Sequence, residues 1–188
     1  VVAYSGFSGG QHWVYMDIQE GSYGGRFGKD GLDAVDTLYA NTRNNPIEDI
    51  ESHFPLRVTE YELLEDRGGP GRWRGGLGTT REIEFLEDAG YSLEGDGSLT
   101  APPGLFGGRE GTPGAVLLNR GTDKERELPS KFPYRKAAPG DRLCLLSPCG
   151  GGYGDPLERD PDAVAQDLLD GFVSRESARK HYRLEETP

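Results

Sequence analysis

The chain has 188 residues, enough for one well-buried core and a small appendage. Its 21 Lys plus Arg against 32 Asp plus Glu give a formal charge of −11, which repels nucleic-acid backbones and anionic lipid surfaces and argues against both as partners. A hydrophobic content of 34% with 29 Gly and 13 Pro points to short strands, many turns and apolar surface completed by a partner.

From the N-terminus, SGFSGG at 5–10 reads as a flexible lead-in, and His12 to Glu20 as an internal strand, aromatic and β-branched with both faces partly apolar. Gly21 to Gly31 carries five glycines in eleven residues, a shaped loop in which the backbone turns or approaches another group closely. Leu32 to Ala40 suits either a short helix or an irregular buried segment. Asn41, Thr42, Arg43, Asn44 and Asn45 then place amides, a hydroxyl and a forked guanidinium in consecutive positions, a cluster able to hold a carboxylate or a phosphate. The same stretch reads as a helix start, with Asn45 as N-cap, Pro46 at the first helical position and Glu48 closing a capping box. Arg43 serves either as a ligand-binding group or as a buried partner of Asp30, Asp33 or Asp36.

Beyond a helix at 46–53, Leu56 to Glu65 reads as a strand, and 67–78, with six glycines around Trp73, as a wide turn. Thr79 to Leu86 alternates, with Arg81, Ile83 and Phe85 on one face and Glu82 and Glu84 on the other, which predicts a half-exposed strand. Tyr91 to Glu94, Ala115 to Asn119 and Arg142 to Ser147 are further strands, the last following a Pro139-Gly140-Asp141 turn. The glycine stretches at 107–114 and 150–154 read as tight turns, since none sits between a strand and a long helix as a phosphate loop does. Asp160 caps a helix with Pro161 at its first position, an apolar stripe of Val164, Leu168 and Leu169 that packs on the sheet or a neighbour, and Gly171 at its end. Ser174 opens a second short helix. The fold expected is α+β, predominantly β with short strands and glycine-rich turns, divided into a β-rich domain over 1–157 and a helical tail over 158–188.

His12, His53 and His181 lie far apart, and Asp49 with His53 alone shares a helical face, so no metal site is expected here. No G-x-S-x-G is present. Cys144 and Cys149 make neither a zinc pattern nor a disulfide framework, which fits a cytoplasmic setting.

The motifs in order, GGRFGKDGLDA, NTRNNPIEDIE, FPLRV, GGPGRWRGGLGTTRE, PPGLFGG, LPSK and PGDRL followed by GGGYGDP, resemble the C-terminal third of the hydantoinase B/oxoprolinase family from about Gly21 to the helical tail. The resemblance implies work with a hydantoinase A-like ATP-binding subunit and with the N-terminal part of a hydantoinase B-like chain, opening cyclic amides such as 5-oxoproline and hydantoins. A ring amide is a poor electrophile, and phosphoryl transfer to its oxygen creates a group that water can displace. It further implies ATP, Mg²⁺ and another divalent metal on the partner chains, with no cofactor held here. Asn41, Thr42, Arg43 and Asn44 are then expected to bind substrate or line the catalytic cavity, with Asp30 and Asp33 supporting Arg43.

Two departures from the family pattern favour a ketone-carboxylase-like or divergent member. Asp36-Thr37-Leu38-Tyr39-Ala40 stands where amide-opening relatives carry His-x-His-Met-Thr, and Glu94-Gly95-Asp96-Gly97 replaces an Asp-Arg-containing segment. A non-catalytic β-rich interaction module is the alternative of a different class. Because the chain opens on Val1 within a strand-like stretch, it is expected to be part of a larger whole and not a stable monomer, in contact with another chain through His12 to Glu20 and the Gly21–Gly31 loop.

Overall fold

The computed structural model describes residues 1–36 and 38–184. Strands β1 (Val2–Ser8) and β2 (Gln11–Asp17) form a hairpin closed by Gly9 and Gly10, at φ 57° and 82°. Two consecutive positive φ values are the requirement of the tight hairpin turn that matches strand twist, and glycine meets it without a Cβ clash. Helix α1 (Ile47–His53) leads into β3 (Leu56–Leu63), followed by β4 (Thr79–Phe85), β5 (Ala89–Glu94), β6 (Ala115–Leu118), β7 (Arg126–Leu128), β8 (Lys131–Ala137) and β9 (Arg142–Leu146). Helices α2 (Pro161–Leu169) and α3 (Arg175–Tyr182) come last, after a single 3₁₀ turn at Pro156–Glu158.

The strands make two antiparallel sheets, β2-β1-β5-β8 and β3-β4-β9-β6-β7. In the first, Tyr4 pairs with Tyr15 on one side and Tyr91 on the other, setting three buried tyrosines in one row. Phe85, Ile83, Leu143 and Val116 of the second sheet join that row in a single apolar core. The protein is thus predominantly β with short helices, as its composition implies.

A third layer is made of glycine. Segments 21–34, 67–78, 102–112 and 148–154 run side by side and bond backbone to backbone: Gly25 N–H donates to Gly151 O at 2.8 Å, Gly76 N–H to Tyr23 O at 2.8 Å, Gly150 N–H to Gly76 O at 2.9 Å and Leu105 N–H to Gly152 O at 2.9 Å. A Cβ on Gly75 would stand 1.8 Å from Gly150 O, so the spacing exists only because side chains are missing. The stretches expected as separate tight turns are therefore one bonded body. Glycines far apart in sequence meet here, which local turn chemistry does not reveal.

Other expectations are corrected in the same way. The 5–10 stretch is mostly strand β1, in the interior of its sheet, and β2 is an edge strand whose Val14 and Met16 are exposed. Strand β4 is buried along nearly its whole length, because β3 and β9 flank it and Glu82 is neutralised by Arg142 at 3.0 Å and approached by Arg120 at 3.8 Å. The capping box does not form: Pro46 is the N-cap of α1 and no side chain caps it. Between Leu32 and Ala40 the described residues hold no helix. By contrast the tail caps form as expected, with Asp160 accepting from Asp162 N–H at 3.0 Å and Ser174 from Ser177 N–H at 3.1 Å. The apolar stripe of α2 does not join the core of the sheets. Val164 and Leu168 join Val173, Ala178 and Tyr182 in a separate small core, and Leu169 is exposed. Strands β7 and β8 are not legible in the sequence, because Pro133 and a run of charges mask them.

Candidate functional site

The Asn-Thr-Arg-Asn segment is exposed irregular chain leading into α1, with Asn41 in the left-handed region at φ 47°. Local hydrogen bonds shape it. Asp36 accepts from the Thr42 N–H at 2.9 Å and from the Thr42 hydroxyl, while the Tyr23 phenol accepts from Leu38 N–H at 2.6 Å. Thr37, within the departure from the family pattern, lies outside the described residues. Asn44 is the member that reaches the sheet, its amide donating to the Tyr61 hydroxyl on β3 at 2.6 Å.

Beside Asn44 lies a chain of buried polar groups. Glu20 is 6% exposed, and burial pushes its carboxyl above the usual carboxylate range, countered by its backbone bond and by Asn44 and reinforced by Asp17 and Asp36. Burial, then Glu20, also raises the Tyr61 phenol. The Arg81 guanidinium stacks 4.9 Å from the Tyr61 ring and pairs with Asp17 at 2.9 Å, both buried. Desolvation outweighs Arg81 at Asp17, whose carboxyl is also raised. Sequence reasoning misses Glu20, Tyr61, Arg81 and Asp17 as a group, because a Glu at a strand end and an Arg in an alternating strand look like surface residues. An Arg on the apolar face of β4, in register with Ile83 and Phe85, is the available signal.

Arg43 is exposed and has no ion pair or hydrogen bond among the described residues. Asp30 and Asp33 serve other arginines. Arg74 grips Asp33 with both forks at 2.7 and 3.0 Å, and Arg159 grips Asp30 at 2.7 and 2.8 Å. Asp167 of α2 bridges the two, at 3.2 Å to Arg74 and 2.7 Å to Arg159. Asp30 also accepts Arg74 N–H and Asp33 accepts Leu77 N–H, each at 2.7 Å. Five charges alternate in sign, so each buried guanidinium is matched; the acids fix the glycine loop to the helical tail instead of holding Arg43.

Two antiparallel sheets, a glycine-rich third layer and a polar loop set beside buried acids define a predominantly β domain. The chain belongs to the hydantoinase B/oxoprolinase family, whose pattern it matches over residues 1–156. It is 57% identical over 97% of its length to a candidate B-type subunit of a D-/L-hydantoinase from Pseudomonas sp. (strain NS671), covering 31% of that protein. It is 31% identical to the acetophenone carboxylase delta subunit of Aromatoleum aromaticum, over 86% of this chain and 28% of the other. The crystal structure of an ATP-dependent caprolactamase from Pseudomonas jessenii superposes with a TM-score of 0.86 at 27% identity, over 99% of this chain and 34% of that one. The chain thus spans about a third of the length of each of these three proteins.

Among the described residues no helix is long and apolar enough to cross a membrane, and both cysteines are free and buried.

Proposed function

We propose that this chain is the C-terminal part of an ATP-dependent cyclic-amide hydrolase of the hydantoinase/5-oxoprolinase type. It acts in a cytoplasmic heteromeric assembly with an ATP-binding hydantoinase A-like subunit and the N-terminal part of a hydantoinase B-like chain. The carrying observation is the 57% identity to a candidate B-type subunit of a D-/L-hydantoinase across nearly the whole chain. ATP, Mg²⁺ and a further divalent metal belong to the partner chains; this chain supplies the loop Asn41, Thr42, Arg43 and Asn44 that binds or frames the substrate. Arg43, exposed and without a protein partner among the described residues, offers its fork to a carboxylate or phosphoryl oxygen. Asp30 and Asp33 support the loop indirectly, by fixing the glycine layer that precedes it in the chain.

A second reading, a subunit of an ATP-dependent ketone carboxylase, is favoured by the likeness to the acetophenone carboxylase delta subunit and by the missing histidines at 36–40. Turnover of 5-oxoproline and hydantoins with ATP, against aryl ketones with ATP and bicarbonate, separates the two when the assembled complex is assayed with and without this chain. Full activity without it would leave only the non-catalytic module.

A further inference from the structure

A two-sheet protein has four sheet edges, and each exposes a row of backbone donors and acceptors that invites another strand. Three of the four are defended here. Edge strand β8 carries Pro133 among Lys131, Arg135 and Lys136, and β7 is three residues long with Arg126 and Glu127 exposed. Strand β3 has a bulge between Val58 and Glu60, carries Arg57 and Glu62, and has its Val58 N–H taken by Glu51 of α1 at 2.9 Å. Strand β2, QHWVYMD, has none of these devices. It is seven residues long, unbroken in register with β1 from Gln11 to Asp17, and free of Pro, Lys and Arg; its one charge, Asp17, is turned inward to Arg81.

The outer face beside that edge is also apolar. Val14 is 53% and Met16 65% exposed, and Phe7, the cross-strand neighbour of His12, is 67% exposed. Beyond the pairing with β1, no backbone group of residues 11–17 is bonded to another backbone among the described residues. An undefended edge next to uncovered apolar side chains is the combination that strand addition uses, with main-chain bonds for affinity and alternate side chains for specificity.

We infer that β2 is a docking edge that accepts one extended strand from the part of a hydantoinase B-like chain lying outside these 188 residues. This rests on the proposed function, and deepens it by naming the contact. The length of chain involved supports the choice of occupant, since the relatives carry about two thirds of their residues beyond the matched part. The incoming strand places apolar residues at alternate positions against Val14 and Met16. Its flanks are basic or neutral, because this chain carries −11.

The test co-expresses this chain with the part of the Pseudomonas sp. (strain NS671) protein that it does not match, and follows amide hydrogen exchange in the free chain and in the complex. Alternate amides of residues 11–17 should exchange at least tenfold more slowly in the complex, while those of β8 keep their free-chain rates. Val14→Lys with Met16→Lys should weaken co-purification at least tenfold without moving the urea midpoint. A complex whose β2 amides exchange as in the free chain, or the absence of any complex, overturns the inference. So does a free chain that is dimeric with β2 already protected, since a second copy is then the occupant. Turnover is scored separately, with an ATP-binding hydantoinase A-like subunit added: an active assembly with unprotected β2 removes this edge but leaves the function, and a protected but inactive assembly does the reverse.

Discussion

Replacing Gly75 by Ala tests whether backbone-to-backbone packing holds the glycine layer together. The added Cβ would stand 1.8 Å from Gly150 O, about 1.5 Å short of ordinary contact, and the obstacle is backbone that cannot rotate aside. To make room, segments 67–78 and 148–154 must part. That breaks or stretches the bonds from Gly69 N–H to Gly150 O at 2.8 Å, Trp73 N–H to Tyr153 O at 3.0 Å and Gly150 N–H to Gly76 O at 2.9 Å. Each buried backbone group left unpaired costs about 1–3 kcal/mol, so the loss is roughly 3–9 kcal/mol against a total stability of roughly 5–15 kcal/mol. Gly21→Ala is the control: its Cβ meets nothing nearer than Pro148 O at 3.4 Å, so it should shift stability by less than about 1 kcal/mol, in the stabilising direction. Urea unfolding followed by Trp fluorescence reads both, since Trp73 sits in the layer and Trp13 on the first sheet. Gly75→Ala should lower the midpoint by about 1 M or more. A midpoint within about 0.3 M of the parent would refute the packing argument.

Three further outcomes are expected. Arg159→Met leaves the buried Asp167 without one of its two partners and Asp30 without its fork, which should cost about 3–5 kcal/mol in the same assay and open the α2–α3 region to proteolysis; a loss below about 1 kcal/mol would mean that the network does not clamp the tail. Glu20 has a folded-state pKa above its unfolded value, so the folded state binds more protons between the two and stability falls as pH rises through that window. Glu20→Gln should flatten this fall and raise stability at neutral pH, and an unchanged stability–pH curve would contradict the assignment. Arg43→Lys keeps the charge but loses the fork; with no partner among the described residues to lose, it should leave stability within about 0.5 kcal/mol while turnover of the assembled enzyme drops tenfold or more, and unaltered turnover would remove Arg43 from the site.

By itself the sequence determined what depends on near neighbours. The predominance of β, the strands with alternating or β-branched residues, the Asp160 and Ser174 caps and the family motifs are all set by side chains within a few positions of one another. A cap bond spans two or three residues, as Asp160 to Asp162 and Ser174 to Ser177 show, so its chemistry is legible without the fold. The capping box at Asn45 and Glu48 met every local rule and still did not form, because Pro46 takes the N-cap position and the helix starts one residue later, at Ile47. Only the tertiary structure decided which arginine each acid serves. Asp30 and Asp33 lie ten to thirteen residues from Arg43, yet their partners are Arg159 and Arg74, brought in from up to 129 residues away. It also decided that the glycine stretches are one layer and that β2, apolar on both faces, lies at an edge instead of in the interior. Burial and strand order depend on the whole chain at once: an apolar outer face looks the same in sequence whether a neighbouring strand covers it or a partner does.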